Sequence, residues 1–201
     1  PGFRSVFEPA PGLTPARVRA VGELADATWI AFVDDDCLLA PDWSERAVRA
    51  CRSAGDGIAA IGGVVELDFE VEPPRWIYRI AGAYAEQRPR SDAGAVGSLV
   101  GAGMIVRRQN LVSTGWLDGP LLEDRIGSSL ISGGDVEIGA RLAATGDLWF
   151  DPSLRLAHSI PPRRTTESYA LRLQRGLGTG ALLVDEVTTS HGFLRWAMSS
   201  A

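Results

Sequence analysis

The sequence predicts an α/β domain built on a mainly parallel sheet flanked by helices, with its ligands gathered at the C-terminal ends of strands. Three observations carry this. Trp29-Ile30-Ala31-Phe32-Val33 is a short apolar run rich in strand formers, and it ends in Asp34-Asp35-Asp36. It is preceded by a helical pattern and followed by an acidic loop and a second helix, and the carboxylate-bearing end of such a strand is where open α/β sheets bind ligands. Composition is that of an ordinary globular chain, 45% apolar and 22% charged over 201 residues, enough for one well-filled domain spanning residues 1–201.

Taken in order, a Pro/Gly loop over residues 9–14 leads to Thr14-Pro15, which predicts an N-cap and a proline at the first helical position. The helix should run to about residue 27, with Val18, Val21, Leu24 and Ala25 on the sheet-facing side and Arg17 in the first turn. Strand 29–33 follows. Residues 38–41 read as a short loop, and Asp42 with Glu45 resembles a capping box for a helix over 43–54. Residues 58–69 read as one long or two shorter strands, bent or bulged at Gly62-Gly63.

Periodicity is lost over 70–95, where Pro73-Pro74, Trp76, Tyr78 and mixed charge predict an irregular loop or lid. The two aromatics either cover a substrate or pack the loop. A further strand is expected over 98–106 around Gly101-Ala102-Gly103, small residues that let a ligand approach the backbone. A polar turn over 127–132 precedes Gly133-Gly134-Asp135-Val136-Glu137, which opens a helix ending at Gly146, a residue suited to a C′ position. Two short strands over 148–150 and 155–158 are separated by Asp151-Pro152. Thr165 or Thr166 caps a helix to about residue 175, glycines at 176–180 interrupt it, and a last helix completes a C-terminal helical extension over 165–201.

Composition excludes several chemistries. Net charge is −5 and there is no basic cluster, so no nucleic-acid footprint exists. All twenty basic residues are Arg, which removes P-loop phosphate binding, Schiff-base chemistry and Ser-Lys hydrolysis. Cys37 and Cys51 supply neither a disulfide framework nor a thiolate metal site and suit a reducing compartment. No apolar stretch is long enough to span a bilayer and no signal peptide is visible, so the expectation is a cytoplasmic protein. The chain opens at Pro1 and closes in Phe193-Leu194-Arg195-Trp196-Ala197-Met198 as if in mid-helix, which reads as a fragment.

Three adjacent carboxylates repel one another unless a cation, hydrogen bonds or solvent compensates them. One reading is a divalent metal with substrate phosphates, since magnesium-like ions are held by one or two carboxylates plus a diphosphate. The other is a solvated acidic turn. Asp135, behind two glycines in a first helical turn, is either a functional acid or an N-terminal cap favoured by the helix dipole. His158, at a strand end, is either a structural residue or a metal ligand.

Together, Gly12-Leu13-Thr14-Pro15-Ala16-Arg17, Ile30-Ala31-Phe32-Val33-Asp34-Asp35-Asp36, Gly101-Ala102-Gly103-Met104, Ser132-Gly133-Gly134-Asp135-Val136-Glu137 and His158 resemble glycosyltransferase family 2, the inverting enzymes of GT-A fold. The resemblance implies a GT-A, Rossmann-like mixed and mainly parallel sheet. It implies Asp36 and Asp34 at a divalent metal, Mn2+ or Mg2+, with His158 as a further metal or diphosphate contact. Arg17, Asp34 and Asp35 would then lie near the nucleotide, with Gly101 and Gly103 at the donor site and Asp135 as catalytic base. The implied reaction moves a sugar from a nucleoside-diphosphate sugar, a UDP-sugar first among them, to a hydroxyl of a carbohydrate or lipid-linked acceptor. The family suggests polysaccharide or cell-surface glycan synthesis, with peripheral membrane association open. The family's N-terminal strand–helix–strand unit has no counterpart here, Gly134 stands where the family often has Glu, and Gln174-Arg175-Gly176 departs from the motif of processive synthases.

Rival readings fit less well. A haloacid-dehalogenase-like phosphatase usually has Thr or Val where Leu38 stands and a later Lys. A Ser-His-Asp hydrolase lacks Gly-x-Ser-x-Gly, and His191 falls in a loop. A noncatalytic nucleotide-sugar binding or scaffold module is the other alternative.

Overall fold

The computed structural model describes residues 4–122 and 133–188. The expected polar turn over 127–132, the His191 loop and the chain end beyond residue 188 lie outside the described residues.

Helix α1 spans Leu13–Glu23, and its N-cap is Gly12 at φ 120°, not Thr14. Thr14 is buried and its hydroxyl instead donates to the Leu122 carbonyl at 2.9 Å, a tertiary bond that displaces the expected cap. Val21 is buried beneath α1, whereas Leu24, expected on the same face, is exposed because the helix has ended. Strand β1, Trp29–Ala31, leads through the Asp triplet into β2, Cys37–Leu39, where a loop was expected. Helix α2, Trp43–Ser53, begins after Asp42 without a side-chain cap. Asp42 instead accepts from Arg46 at 2.7 Å and Glu45 from Arg49, so helical i,i+4 ion pairs replace the capping box.

The long strand is confirmed as β3, Ile58–Phe69, with a register shift between Gly62 and Val64. Within residues 70–95 the chain forms a 3-10 segment, Arg75–Tyr84, kinked at Ile80, and then β4, Gly94–Val96, begins. Tyr78 stacks edge-on against Phe69, and Trp76 joins the cluster around Ile77, Tyr84 and Ile160, so both aromatics pack the loop. The expected strand over 98–106 is confined to β5, Ile105–Arg107. Gly103 has φ +71°, outside extended backbone, and the Gly101 amide is drawn to Asp135. Helix α3, Arg108–Ser113, follows directly and had no clear sequence signal.

Helix α4 spans Gly134–Ala143 behind Gly133 at φ 146°. Gly146 is not left-handed. Its glycine is required because a Cβ there would lie 2.5 Å from the Gly57 carbonyl. The two short strands expected around Pro152 are one strand, β6, Asp147–Ile160, which bulges opposite Gly63. Helix α5, Glu167–Thr188, opens with the Thr166 hydroxyl accepting the Tyr169 amide and runs unbroken through Gly176, Gly178 and Gly180. Gly180 lies 3.5 Å from the Cβ position of Gly133, so this glycine permits close approach to the start of α4, and none of the three ends the helix.

The six strands form one mixed sheet in the order β1-β5-β3-β6-β2, with β4 on the same outer edge of β6 as β2. Its longest pairing, β3 with β6, is parallel. The other four pairings are antiparallel, so the parallel share is smaller than expected. Alternation along the strands divides the core in two. Ile30, Ala60, Val106 and Leu148 face α1, α3 and α4, while Ile61, Ile105 and Leu154 face Trp43 and Ala47 of α2.

Candidate functional site

The Asp triplet forms a tight turn between β1 and β2, closed by the Cys37 amide donating to the Asp34 carbonyl at 3.1 Å. Pairing of β2 with β6 sets Cys37 opposite His158, and the Ser159 amide donates to the Asp36 carbonyl at 2.9 Å. The turn is thereby fixed beside the C-terminal half of β6. Asp34, Asp35 and Asp36 line a polar cleft of about 460 Å³ with Arg17, Gly101, Asp135, His158 and Arg164. The structure thus brings together the sequence-selected residues with one exception. Gly103 lies outside that lining, with its Cβ position 2.5 Å from a Leu156 methyl, and its glycine answers to the positive φ.

Arg17 is 6% exposed, with its guanidinium 3.5 Å from Asp34 Oδ1 and 5.4 Å from the centre of the Phe32 ring. Asp36 is held from two sides on the same oxygen. Arg164 Nη1 donates to Oδ2 at 2.9 Å, and His158 Nε2 lies 3.4 Å from it. Partial burial pushes the Asp36 carboxyl up, but the Arg164 hydrogen bond and the charges of His158 and Arg164 outweigh this and leave it below the ordinary carboxylate value. His158 Nδ1 lies 2.9 Å from the Tyr84 carbonyl. A carbonyl can only accept, so Nδ1 carries the proton and Nε2 is the nitrogen turned to Asp36.

Asp135 enters from the first turn of α4. Its Oδ2 accepts the Gly101 amide at 2.9 Å and its Oδ1 the Val136 amide at 2.9 Å. A Cβ on Gly101 would lie 2.8 Å from the Asp135 Cβ and 3.2 Å from the Arg17 guanidinium. Glycine is therefore required at 101 by the approach of protein side chains. Gln87, buried, ties this loop to the sheet by donating to the Gly63 carbonyl and accepting the Val100 amide, both at 2.8 Å.

One ligand atom each from Asp34, Asp36 and Cys37 lies within 4.8 Å of the others. Burial, with the nearby Asp34 and Asp36 charges, pushes the Cys37 thiol up to about 12. Sulfur is a soft ligand, poorly matched to a hard cation of the Mg2+ type. The carboxylates do fit such an ion, with oxygens of the type that hold Mg2+ or Mn2+.

Sequence reasoning missed Arg164 and Tyr84, and it gave no role to Glu137, which it met only as part of the motif around Asp135. Arg164 had a signal in Pro161-Pro162-Arg163-Arg164, directly after the strand that carries His158. Glu137, fully buried, accepts the Leu121 and Leu122 amides at 3.0 and 3.1 Å. The Leu122 carbonyl in turn accepts from Thr14, so α4, which carries Asp135, is linked to α1, which carries Arg17.

The mixed sheet flanked by helices matches a GT-A glycosyltransferase fold. Residues 1–113 match the family described as Glycosyl transferase family 2, and the chain belongs to that family. No curated protein sequence matches it. Among solved structures it is similar to the crystal structure of GalNAc-T7 with UDP, GalNAc and Mn2+, at a TM-score of 0.52 and 17% identity. The match covers 74% of this chain and 30% of that one, so the chain spans less than a third of that protein. The likeness shows a shared fold. No helix among the described residues is long and apolar enough to cross a membrane.

Proposed function

We propose that this domain is a metal-dependent, inverting glycosyltransferase that moves a sugar from a nucleoside-diphosphate sugar to an acceptor hydroxyl in glycan assembly. The observation that carries this reading is the position of Asp135, on the rim of the polar cleft that holds the Asp triplet and also on the wall of a second cavity. A donor in the cleft and an acceptor in the cavity would meet at its carboxylate.

Asp34 and Asp36 are the proposed holders of a divalent ion, which when bound would offset the charge of the leaving diphosphate. His158 Nε2, 3.4 Å from Asp36 Oδ2, would stand beside an ion or diphosphate held at that carboxylate. Arg17, in the same cleft, adds positive charge toward a donor and holds Asp34. Asp135 is the proposed base. Its two amide bonds fix the carboxylate and leave lone pairs for the acceptor proton. The acceptor oxygen bonds to the anomeric carbon as the carbon–diphosphate oxygen bond breaks with its electron pair, and the hydroxyl proton passes to Asp135. A single displacement of this kind inverts the centre.

The test is thermal unfolding with UDP, GDP and dTDP sugars, with and without Mn2+. A donor at a hundred times its Kd adds about 2.7 kcal/mol, and a domain of this size gains roughly 2–4 °C per kcal/mol. We expect a UDP-sugar shift that requires Mn2+ and disappears in Asp36→Asn. Asp135→Asn should keep that shift and lose transfer. No Mn2+-dependent shift with any nucleotide would favour a noncatalytic module, and loss of both properties in folded Asp135→Asn would make Asp135 a ligand or a structural residue.

A further inference from the structure

The second cavity, about 310 Å³, meets the polar cleft at Ala85, Asp135, His158 and Arg164 and continues between the Tyr84 segment, α4 and α5. Its chemistry differs from that of the cleft. At the junction the polar side chains are partly engaged within the protein. The Tyr84 hydroxyl donates to the Arg164 carbonyl at 2.8 Å, His158 Nδ1 to the Tyr84 carbonyl, and Arg164 to Asp36, while Asp135 accepts from Gly101. Deeper in, the wall is apolar or bare backbone at Gly82, Gly97, Leu99, Ala140, Leu173 and Leu177. Among the described residues, the hydroxyls of Ser98 and Tyr169 are the remaining polar side-chain groups on it.

This inventory discriminates between occupants. A sugar ring carries hydroxyls around its whole edge, and each one buried without a partner costs free energy. An alkyl or aryl group loses nothing there and gains by leaving water. We propose that the cavity seats an apolar group of the acceptor, so that the acceptor class is an alcohol carrying an apolar substituent close to its reacting hydroxyl, and not a bare oligosaccharide. The assignment rests on the reading of Asp135 as the point of transfer, because that residue fixes where the reacting hydroxyl lies.

The probes are n-octyl β-D-glucoside below its micellar concentration, methyl β-D-glucoside and maltose, titrated calorimetrically into the chain. We expect the octyl glucoside to bind at least tenfold more tightly than the methyl glucoside, for which burial of about two of the extra methylenes suffices. Gly82→Leu and, independently, Gly97→Leu place a side chain at the cavity wall where an added Cβ meets no atom within 4 Å and the backbone is not left-handed. In at least one of them the tail preference should fall below about threefold, a loss of more than half a decade, with UDP binding in Mn2+ unchanged. Equal binding of the two glucosides, a tail preference that survives in both variants, or tighter binding of maltose would each overturn the assignment. UDP titrated with Mn2+ on the same samples reports separately on the donor site. Its failure refutes the donor reading, whereas the apolar cavity falls with the tail preference alone.

Discussion

Replacement of Glu137 by Gln should be the most damaging near-isosteric change in α4. Both carboxylate oxygens lie 3.0 Å from the Leu121 amide, Oε2 also accepts from Leu122, and the residue is fully buried. Arg141 Nε lies 2.8 Å from Oε1 but off the hydrogen-bonding direction, so that contact is an ion pair without a hydrogen bond. The two Nη groups of Arg141 donate to the Thr114 and Gly119 carbonyls at 3.0 Å. Gln keeps one acceptor oxygen, turns an NH2 toward a backbone N–H and leaves Arg141 without its counterion. Breaking a buried pair from one side costs about 3–5 kcal/mol, and the retained acceptor places this case near 3 kcal/mol. Domains are stable by about 5–15 kcal/mol, so the loss is a large fraction of the total. With a urea slope of about 2.5 kcal/mol per molar, the midpoint should fall by about 1.2 M with the slope unchanged. Tryptophan fluorescence in urea measures this, helped by the buried Trp116. Arg141→Met combined with Glu137→Gln should cost less than the sum of the two, because they remove one interaction. A midpoint fall under about 0.3 M, or strict additivity, would refute the reasoning.

Three other expectations follow from single positions. A Cβ on Gly63 would lie 2.2 Å from the Leu154 carbonyl oxygen, so Gly63→Ala should cost about 3 kcal/mol, whereas Gly55→Ala, with nothing within 4 Å, should stay within about 1 kcal/mol of neutral; equal urea midpoints would be the contrary result. In a Cys51→Ala background, alkylation of Cys37 at pH 8 should be about a thousandfold slower in the folded than in the unfolded chain, because its thiol is raised from 9.0 to about 12; comparable rates would contradict this. The folded Asp36 carboxyl lies below its ordinary value of 3.8, so the stabilisation from Arg164 is fully present above that value and is lost as pH falls through the lower folded one. The stability gap between wild type and Arg164→Met should therefore be constant from about pH 7 to 5 and close below about pH 4, and a gap that persists into acid would remove the ion pair as its cause.

What could be read in the chain was local. The strand ending in Asp34-Asp35-Asp36, the long strand with its Gly62-Gly63 irregularity, and the helix opening at Gly134 all depend on spacing over a few residues. So does the presence of an acid in the first turn of α4. Those features named most of the candidate site, because the turn and the helix start that carry its carboxylates are themselves short-range structures.

What tertiary structure decided was pairing across long separations and the exceptions it imposes on local rules. Cys37–Leu39 is a strand because it lies along β6 more than a hundred residues later, and the same pairing delivers His158 and Arg164 to Asp36. Thr14 looks like an N-cap but spends its hydroxyl on Leu122, and Gly180 of α5, which by propensity should weaken a helix, lies 3.5 Å from the Cβ position of Gly133 at the start of α4. Pro152 sits within β6 because β6 bulges there against Gly63. The sequence by itself determined which segments could be strands or helices and where the acids would fall. Which oxygen of Asp36 is neutralised, which glycines are demanded by contact and not by turns, and which cavity shares Asp135 were fixed only by packing, since a local pattern carries no information about a partner that the chain brings back from far along its length.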